Sequence, residues 1–210
     1  MASVAILIPA MRPNNLAGVV QSIAESTEDY RIIVIATGDC AEVARTLPVT
    51  LIDDGGGTWP QRINRGIRET TEPYIFTAAD DLAFRPGWFE AARIVMEQIP
   101  GGGLVGINDL MNRAGVHFLI SRDYVNSIGG SLADPPGIAM HEGFRHAYCD
   151  DFARKCAQHR DRWGFADQSV VEHLHCGVGK SPSDEVYALG ESTMGEGAAL
   201  FHSLDYLFGA

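Results

Sequence analysis

Short, uninterrupted apolar runs alternate with segments of helical period through the first hundred residues, and this alternation restricts the fold more than any other feature. Val4 to Ile8 is apolar at every position, so a strand made from it is buried on both faces, as central parallel strands are. Pro9 ends the run. Leu16, Val19, Val20 and Ile23 then follow at helical spacing, with an asparagine of the Asn14-Asn15 pair placed as N-cap. A second strand is expected over Arg31 to Ala36, closing on Thr37-Gly38-Asp39, and a short helix over Ala41 to Leu47. Val49 to Ile52 reads as a third strand, which stops at Asp53-Asp54 and enters Gly55-Gly56-Gly57. The next helix begins near Thr58 to Pro60, with Thr58 or Trp59 at its cap; Ile63 and Ile67 face inward while Arg62, Asn64, Arg65 and Arg68 are polar. Tyr74 to Phe76 makes a further strand, and Trp88, Ala92, Val95, Met96 and Ile99 keep a helical period until Gly101-Gly102-Gly103. Such alternation predicts an α/β fold whose central sheet is mostly parallel, with right-handed crossovers and flanking helices.

Beyond Gly103 the pattern loosens. Leu104 to Ile107, Val116 to Ile120 and Ser169 to His175 read as strands, Arg122 to Ile128 as a short helix, and Phe144 to Trp163 as mostly helical. The loop Ser131 to Gly143 carries Pro135-Pro136-Gly137 and is expected to move, as a cover over a site would. After Gly177 the tail is rich in Gly and Ser and ends amphipathically in Leu200, Phe201, Leu204, Leu207 and Phe208. A length of 210 residues suits a single domain over 1–210, divided into a first part to about residue 103, a second to about 176 and a tail over 177–210.

Charge and cysteine usage exclude several classes of function. A net charge of −11 argues against a broad nucleic-acid-binding surface, and it requires that any anionic ligand be met by a metal or a few placed arginines. No apolar run approaches the length of a membrane span and no signal-type segment opens the chain, so a cytoplasmic location is expected. Cys40, Cys149, Cys156 and Cys176 lack CxxC spacing and read as reduced, mostly buried thiols. Oligomeric state stays open, a homodimer included.

The strand at Tyr74 ends on two adjacent carboxylates, Asp80 and Asp81. In an α/β sheet, ligands bind in the crevice beyond the carboxyl ends of the strands, and oxygen ligands of this type suit Mg²⁺ or Mn²⁺. The same pair would also serve as a cap for the helix after Pro86, or as a solvated turn. No GxGxxG follows the first strand, and Walker A and GxSxG are absent, which excludes the ordinary dinucleotide, P-loop and acyl-hydrolase signatures.

VAILIPAMRP at the N-terminus and RINRGIRETTEPYIFTAADDLAFRPGW further on resemble the nucleotide-sugar-binding half of GT-A glycosyltransferases, especially the family-2-like group. HFLISRDYV, Gly129-Gly130, HEGFRHAYCDDF and VVEHLH are similar to the acceptor half of small bacterial and phage members. The resemblance reaches to about His175, and departs from the fullest versions in having Ala79-Asp80-Asp81 where they carry a complete DxD. It implies a GT-A fold and a metal-dependent, inverting transfer of a sugar from a nucleotide-diphosphate sugar to a hydroxyl acceptor. Asp81 would hold Mn²⁺ or Mg²⁺, and Asp80 would meet the ribose or the metal shell. His173 and His175, two apart on one expected strand face, would supply a late metal ligand. Asp151, or Asp150 beside it, would act as general base, the remaining one capping its helix. Pro9, Ala10, Arg12, Asp39, Asp54 and Arg62 would line the nucleotide site, and Trp88 would either stack on a sugar or pack in the core. A nucleotidyltransferase of related fold, and a non-catalytic nucleotide- or carbohydrate-binding module, are the competing readings; the loop MRPNN lacks the Gly-rich, basic character of the former.

Overall fold

A computed structural model describes residues 3–111 and 115–209. Its centre is an eight-stranded sheet made of β1 (Val4–Pro9), β2 (Tyr30–Ala36), β3 (Thr50–Asp53), β4 (Tyr74–Thr77), β5 (Leu82–Phe84), β6 (Leu104–Asn108), β7 (Phe118–Ser121) and β8 (Trp163–His173). The spatial order is β3-β2-β1-β4-β7-β6-β8-β5. β1, β2, β3 and β4 run parallel; β7 is antiparallel to both β4 and β6, β8 is parallel to β6, and β5 closes the edge antiparallel to β8. Only β5 and β7 therefore oppose the common direction.

The helices are α1 (Pro13–Ser26), α2 (Gly38–Ala44), α3 (Trp59–Arg68), α4 (Trp88–Met96), α5 (Arg122–Ile128), α6 (Cys149–His159), α7 (Glu185–Ser192) and α8 (Met194–Ser203). The apolar run of β1 shows why it lies at the centre. Val4, Ile6 and Ile8 enter a core under α1, α2 and α4, whereas Ala5 and Leu7 enter a second core under α3, α5 and α6. Two faces buried by one strand require apolar side chains at both parities. α3 lies close to the sheet because Gly66 faces it: a Cβ there would stand 3.0 Å from the Leu7 side chain. The expected capping at Thr58 is present, as a reciprocal box with Gln61.

Several expectations give way. α1 begins with Pro13 at its first turn and Arg12 at the N-cap, with no side-chain cap, so neither asparagine has that role; the fixed φ and missing N–H of proline suit the first helical position. The helical stretch expected from Phe144 starts only at Cys149, after Tyr148 turns the backbone into the left-handed region at φ 68°. It ends at His159, because Trp163 already pairs with Leu104 in β8. β8 stops at His173, so His175 lies outside it. The segment over 131–143 is anchored: the buried Asn64 side chain accepts from the amides of Ala139 and Met140 and donates to Met140 O and Glu142 Oε1. Trp88 is wholly buried, tilted against Phe76 and edge-on to Phe84, with its indole N–H on Thr27 Oγ1 at 2.7 Å, so it packs in the core and has no face for a sugar. The tail folds into α7, α8 and a final 3-10 turn. Cys40, Cys149 and Cys156 are buried free thiols and Cys176 is half-buried. No helix among the described residues is long and apolar enough to cross a membrane.

Candidate functional site

The common strand direction brings the ends of β1, β2, β4 and β8 to one edge of the sheet, and the residues that follow them face one crevice. On the β1 side, Ala10, Met11, Pro13, Thr37, Asp39, Cys40 and Arg62 line a cavity of about 280 Å³. Arg62 is fixed there by its own bonds: Nε donates to Asp54 Oδ2 at 2.9 Å and Nη1 to Ala10 O at 3.2 Å. It also walls a neighbouring cavity of about 170 Å³ that includes Asp54, Gly57, Arg65 and Glu142. Of the residues expected at a nucleotide site, Ala10, Asp39 and Arg62 line the first cavity and Asp54 and Arg62 the second, whereas Pro9 is buried in β1 and Arg12 turns toward Asp80 and Asp184. Asp39 is exposed at the start of α2, while Asp54 is committed to Arg62.

Asp80 and Asp81 play different parts. Asp80 Oδ2 accepts from the amides of Met11 and Arg12 at 2.6 and 2.7 Å, and Oδ1 from Arg12 Nη1 at 2.9 Å. It braces the end of β4 against the end of β1. Burial raises its pKa above the ordinary carboxylate value, against the pull of those donors. Asp81 Oδ2 meets His173 Nε2 at 3.3 Å, Tyr187 Oη at 2.9 Å and Arg12 Nη1 at 3.5 Å. Burial alone would raise the Asp81 carboxyl, but the hydrogen bond and charge of His173, with the charge of Arg12, hold it well below the usual range.

β5 brings Asp81 and His173 together, although the residues after Asp81 carry no obvious strand pattern. Leu82 pairs with His173 across the β5–β8 ladder, and Leu174 N continues it to Asp81 O at 2.8 Å. Two further histidines surround this point. His175 lies past the strand, where its Nδ1 accepts from Gly177 N at 2.9 Å and caps a 3-10 turn, yet its ring still stands 5.0 Å from that of His173. His117 was not distinguishable in the sequence from an ordinary strand histidine. It is buried, 5.3 Å from His173 ring to ring, and its Nδ1 lies 3.0 Å from Thr77 O. Burial, with the neighbouring His173, pushes it down to about 4, so it is neutral near pH 7 and donates from Nδ1. Its Nε2, like Nδ1 of His173, is buried with no hydrogen-bond partner among the described residues.

These groups fit a divalent cation with a small protein share of its shell. Among the described residues no group of three or more His, Cys, Asp or Glu is placed to hold one. Mg²⁺ commonly keeps one or two protein carboxylates and takes the rest of its shell from water and phosphate oxygens. Asp81 and His173 offer one carboxylate and one imidazole within 3.3 Å of each other, the imidazole presenting its Nε2 proton to the carboxylate while its Nδ1 is buried without a hydrogen-bond partner among the described residues.

Asp150 and Asp151 stand in the first turn of α6. Asp151 is paired with Arg154. Asp150 is half-buried, and burial together with the adjacent Asp151 pushes it up to about 6. No hydrogen bond or ion pair among the described residues joins either to the group around Asp81. Asp184 and Tyr187, in the Gly- and Ser-rich tail where no site residue is expected, do reach that group.

No protein-family model and no curated sequence matches this chain. Solved structures do. The mannosyltransferase PcManGT of Pyrobaculum calidifontis, in complex with GDP-Man and Mn²⁺, superposes with a TM-score of 0.61 at 14% identity, over 81% of this chain and 56% of that one. TarS of S. aureus, residues 1–349, gives 0.58 at 10% identity over 81% of this chain and 59% of that one. Glucosyl-3-phosphoglycerate synthase of Mycobacterium tuberculosis, with Mn²⁺, UDP-Glc and phosphoglyceric acid, gives 0.57 at 14% identity over 90% and 76%. The chain has the GT-A fold, and it spans little more than half the length of the first two of these proteins.

Proposed function

We propose that this chain is a metal-dependent glycosyltransferase that moves a sugar from a nucleotide-diphosphate sugar to a hydroxyl acceptor with inversion. The observation that carries the reading is the convergence of Asp81 and His173 at 3.3 Å, beside a crevice whose other wall is Ala10, Asp39 and Arg62, on a GT-A fold. Two of the three solved structures named above contain GDP-Man or UDP-Glc with Mn²⁺, which supports the same ligand class here.

In this reading the nucleoside lies along Pro9, Ala10 and Arg12, with Asp39 accepting from the base and Arg62 facing base or phosphate. Asp80 keeps the turn at Met11 and Arg12 in place, and so shapes the nucleotide wall without touching the reacting atoms. Mn²⁺ or Mg²⁺ would be held by Asp81 and His173, where it supplies positive charge against the diphosphate as that group leaves. His175 lies next to these ligands and orients the turn after β8. The acceptor oxygen forms its bond to the anomeric carbon as the bond from that carbon to the diphosphate oxygen breaks. The acceptor proton passes to a carboxylate of α6. We assign this base to Asp150, whose raised affinity for a proton suits the task, whereas Asp151 is occupied by Arg154.

The test is a thermal-shift panel of UDP-, GDP-, ADP- and TDP-sugars with and without Mn²⁺, on wild type, Asp81→Asn and Asp150→Asn, followed by transfer assays with whichever donor binds. One donor should raise the melting temperature only with Mn²⁺, in wild type and Asp150→Asn but not in Asp81→Asn. Asp150→Asn should then bind and fail to transfer. Absence of any shift in wild type at millimolar donor would end the proposal, and unchanged transfer by Asp150→Asn would end the base assignment.

A further inference from the structure

Helix α7 adds no strand and little core, yet it lands on the most highly charged point of the crevice. Asp184 caps the helix through Oδ1, which accepts from the amides of Val186 and Tyr187 at 3.0 Å. The same carboxylate takes the Arg12 guanidinium in a fork, Nε on Oδ2 at 2.6 Å and Nη2 on Oδ1 at 3.3 Å. The Tyr187 ring lies under that guanidinium, 4.2 Å from its central carbon, and its hydroxyl donates to Asp81 Oδ2. The remaining edge of Arg12 faces Asp80 and Asp81. One arginine thus answers three carboxylates, and the Asp81 oxygen that a divalent cation would use is already engaged by Arg12, His173 and Tyr187.

The attachment of the tail is uneven. α8 is anchored on α6, with Phe201 and the following Phe208 both against the Phe152 ring, and with Gly197 so close to Ala147 O that a Cβ would stand 2.5 Å from it. α7 buries only Tyr187 and leaves Leu189 about half exposed. It is joined to α8 through Thr193, and preceded by the exposed residues 177–180, with Gly179 in the left-handed region at φ 73°. A short helix held by polar contacts, next to one held by aromatic packing, can lift while its neighbour stays.

We propose that α7 is an intramolecular latch. Asp184 and Tyr187 keep Arg12 and Asp81 in a self-neutralised pair, and a divalent cation entering at Asp81 and His173 displaces it. This rests on the reading of Asp81 and His173 as the cation seat. Release of α7 frees Arg12, whose positive charge then faces an incoming diphosphate in place of Asp184.

Asp184→Asn keeps a cap acceptor for α7 and removes the charge that holds Arg12, whereas Tyr187→Phe keeps the ring and removes the hydroxyl that meets Asp81, Leu174 O and Ser181 Oγ. In the full chain, amide hydrogen exchange over 185–192 is followed with and without Mn²⁺, and Mn²⁺ binding is titrated through the electron paramagnetic resonance signal of the free ion. The latch predicts faster exchange of α7 in the variants without ligand. It predicts Mn²⁺ affinity about threefold tighter in each single variant and about tenfold in the double, since one bond is partly exposed and the other buried. In wild type, saturating Mn²⁺ should itself quicken exchange of α7. Equal Mn²⁺ affinity in wild type and variants, or exchange that slows on adding Mn²⁺, overturns the latch while leaving the cation seat intact. Absence of Mn²⁺ binding from wild type and every variant would overturn the seat and the latch together.

Discussion

Two parts of the molecule are built by different means. Beside β1, Ala10, Arg12 and Asp39 follow directly from the ends of β1 and β2, so the parallel ladder sets their height and spacing, and the core beneath sets their stability. On the face of the sheet under α3, α5 and α6, loop segments are positioned by side-chain clamps. Asn64 holds Ala139, Met140 and Glu142; Arg160 bonds Gly129 O and Ser131 O; and Arg122 bonds Glu72 O and Thr70 Oγ1. A ladder fixes backbone through many equivalent bonds, whereas a clamp concentrates the task in one residue. Damage to the first should be global, and damage to the second local.

Three measurements test this contrast. The largest effect is expected from Trp88→Ala, which removes a fully buried indole from the aromatic cluster of Phe76 and Phe84 together with its hydrogen bond to Thr27 Oγ1. Urea denaturation should show a loss of about 3–5 kcal/mol, as for other large aromatic deletions, with all probes moving together. A loss confined to one region would contradict a shared core. Next, Asn64→Ala strands the amides of Ala139 and Met140 and should cost about 2–3 kcal/mol. Hydrogen exchange should quicken over 131–148 and stay unchanged in β1 and β2; uniform quickening would show that the clamp is not local.

The smallest effect concerns Asp150. Its carboxyl binds a proton more tightly in the folded chain, at about 6, than a free aspartate does. That contributes stability which is fully present below about pH 4 and is lost as pH rises through about 6. Comparing wild type with Asp150→Asn, which cannot titrate, the stability of wild type should fall by about 1–2 kcal/mol more between pH 4 and 7.5, after allowance for partial exposure. A flat difference across that range would show that neither burial nor Asp151 acts on this carboxyl.

Much of the first half of the chain was legible in the amino-acid order. The runs at Val4, Arg31 and Tyr74 specify buried strands, Thr58 marks a helix start, and Asp80-Asp81 follow a strand as expected. Arg62 and Asp54 were readable as crevice residues, though their mutual bond was not. His175 shows a different outcome: the alternation that placed it on one strand face with His173 is broken by the end of β8, and its ring returns beside His173 through a 3-10 turn.

Residue order alone sets the alternating elements, the faces they bury and the acids at their ends, because apolar period and turn residues act over a few positions. Folding of the whole chain is what pairs Leu82 with His173, brings His117 beside it, and carries Tyr187 to Asp81 across a separation of 106 residues. Contacts of that range are selected by the closure of the whole sheet and by the burial of unlike segments against one another, and no local pattern encodes them.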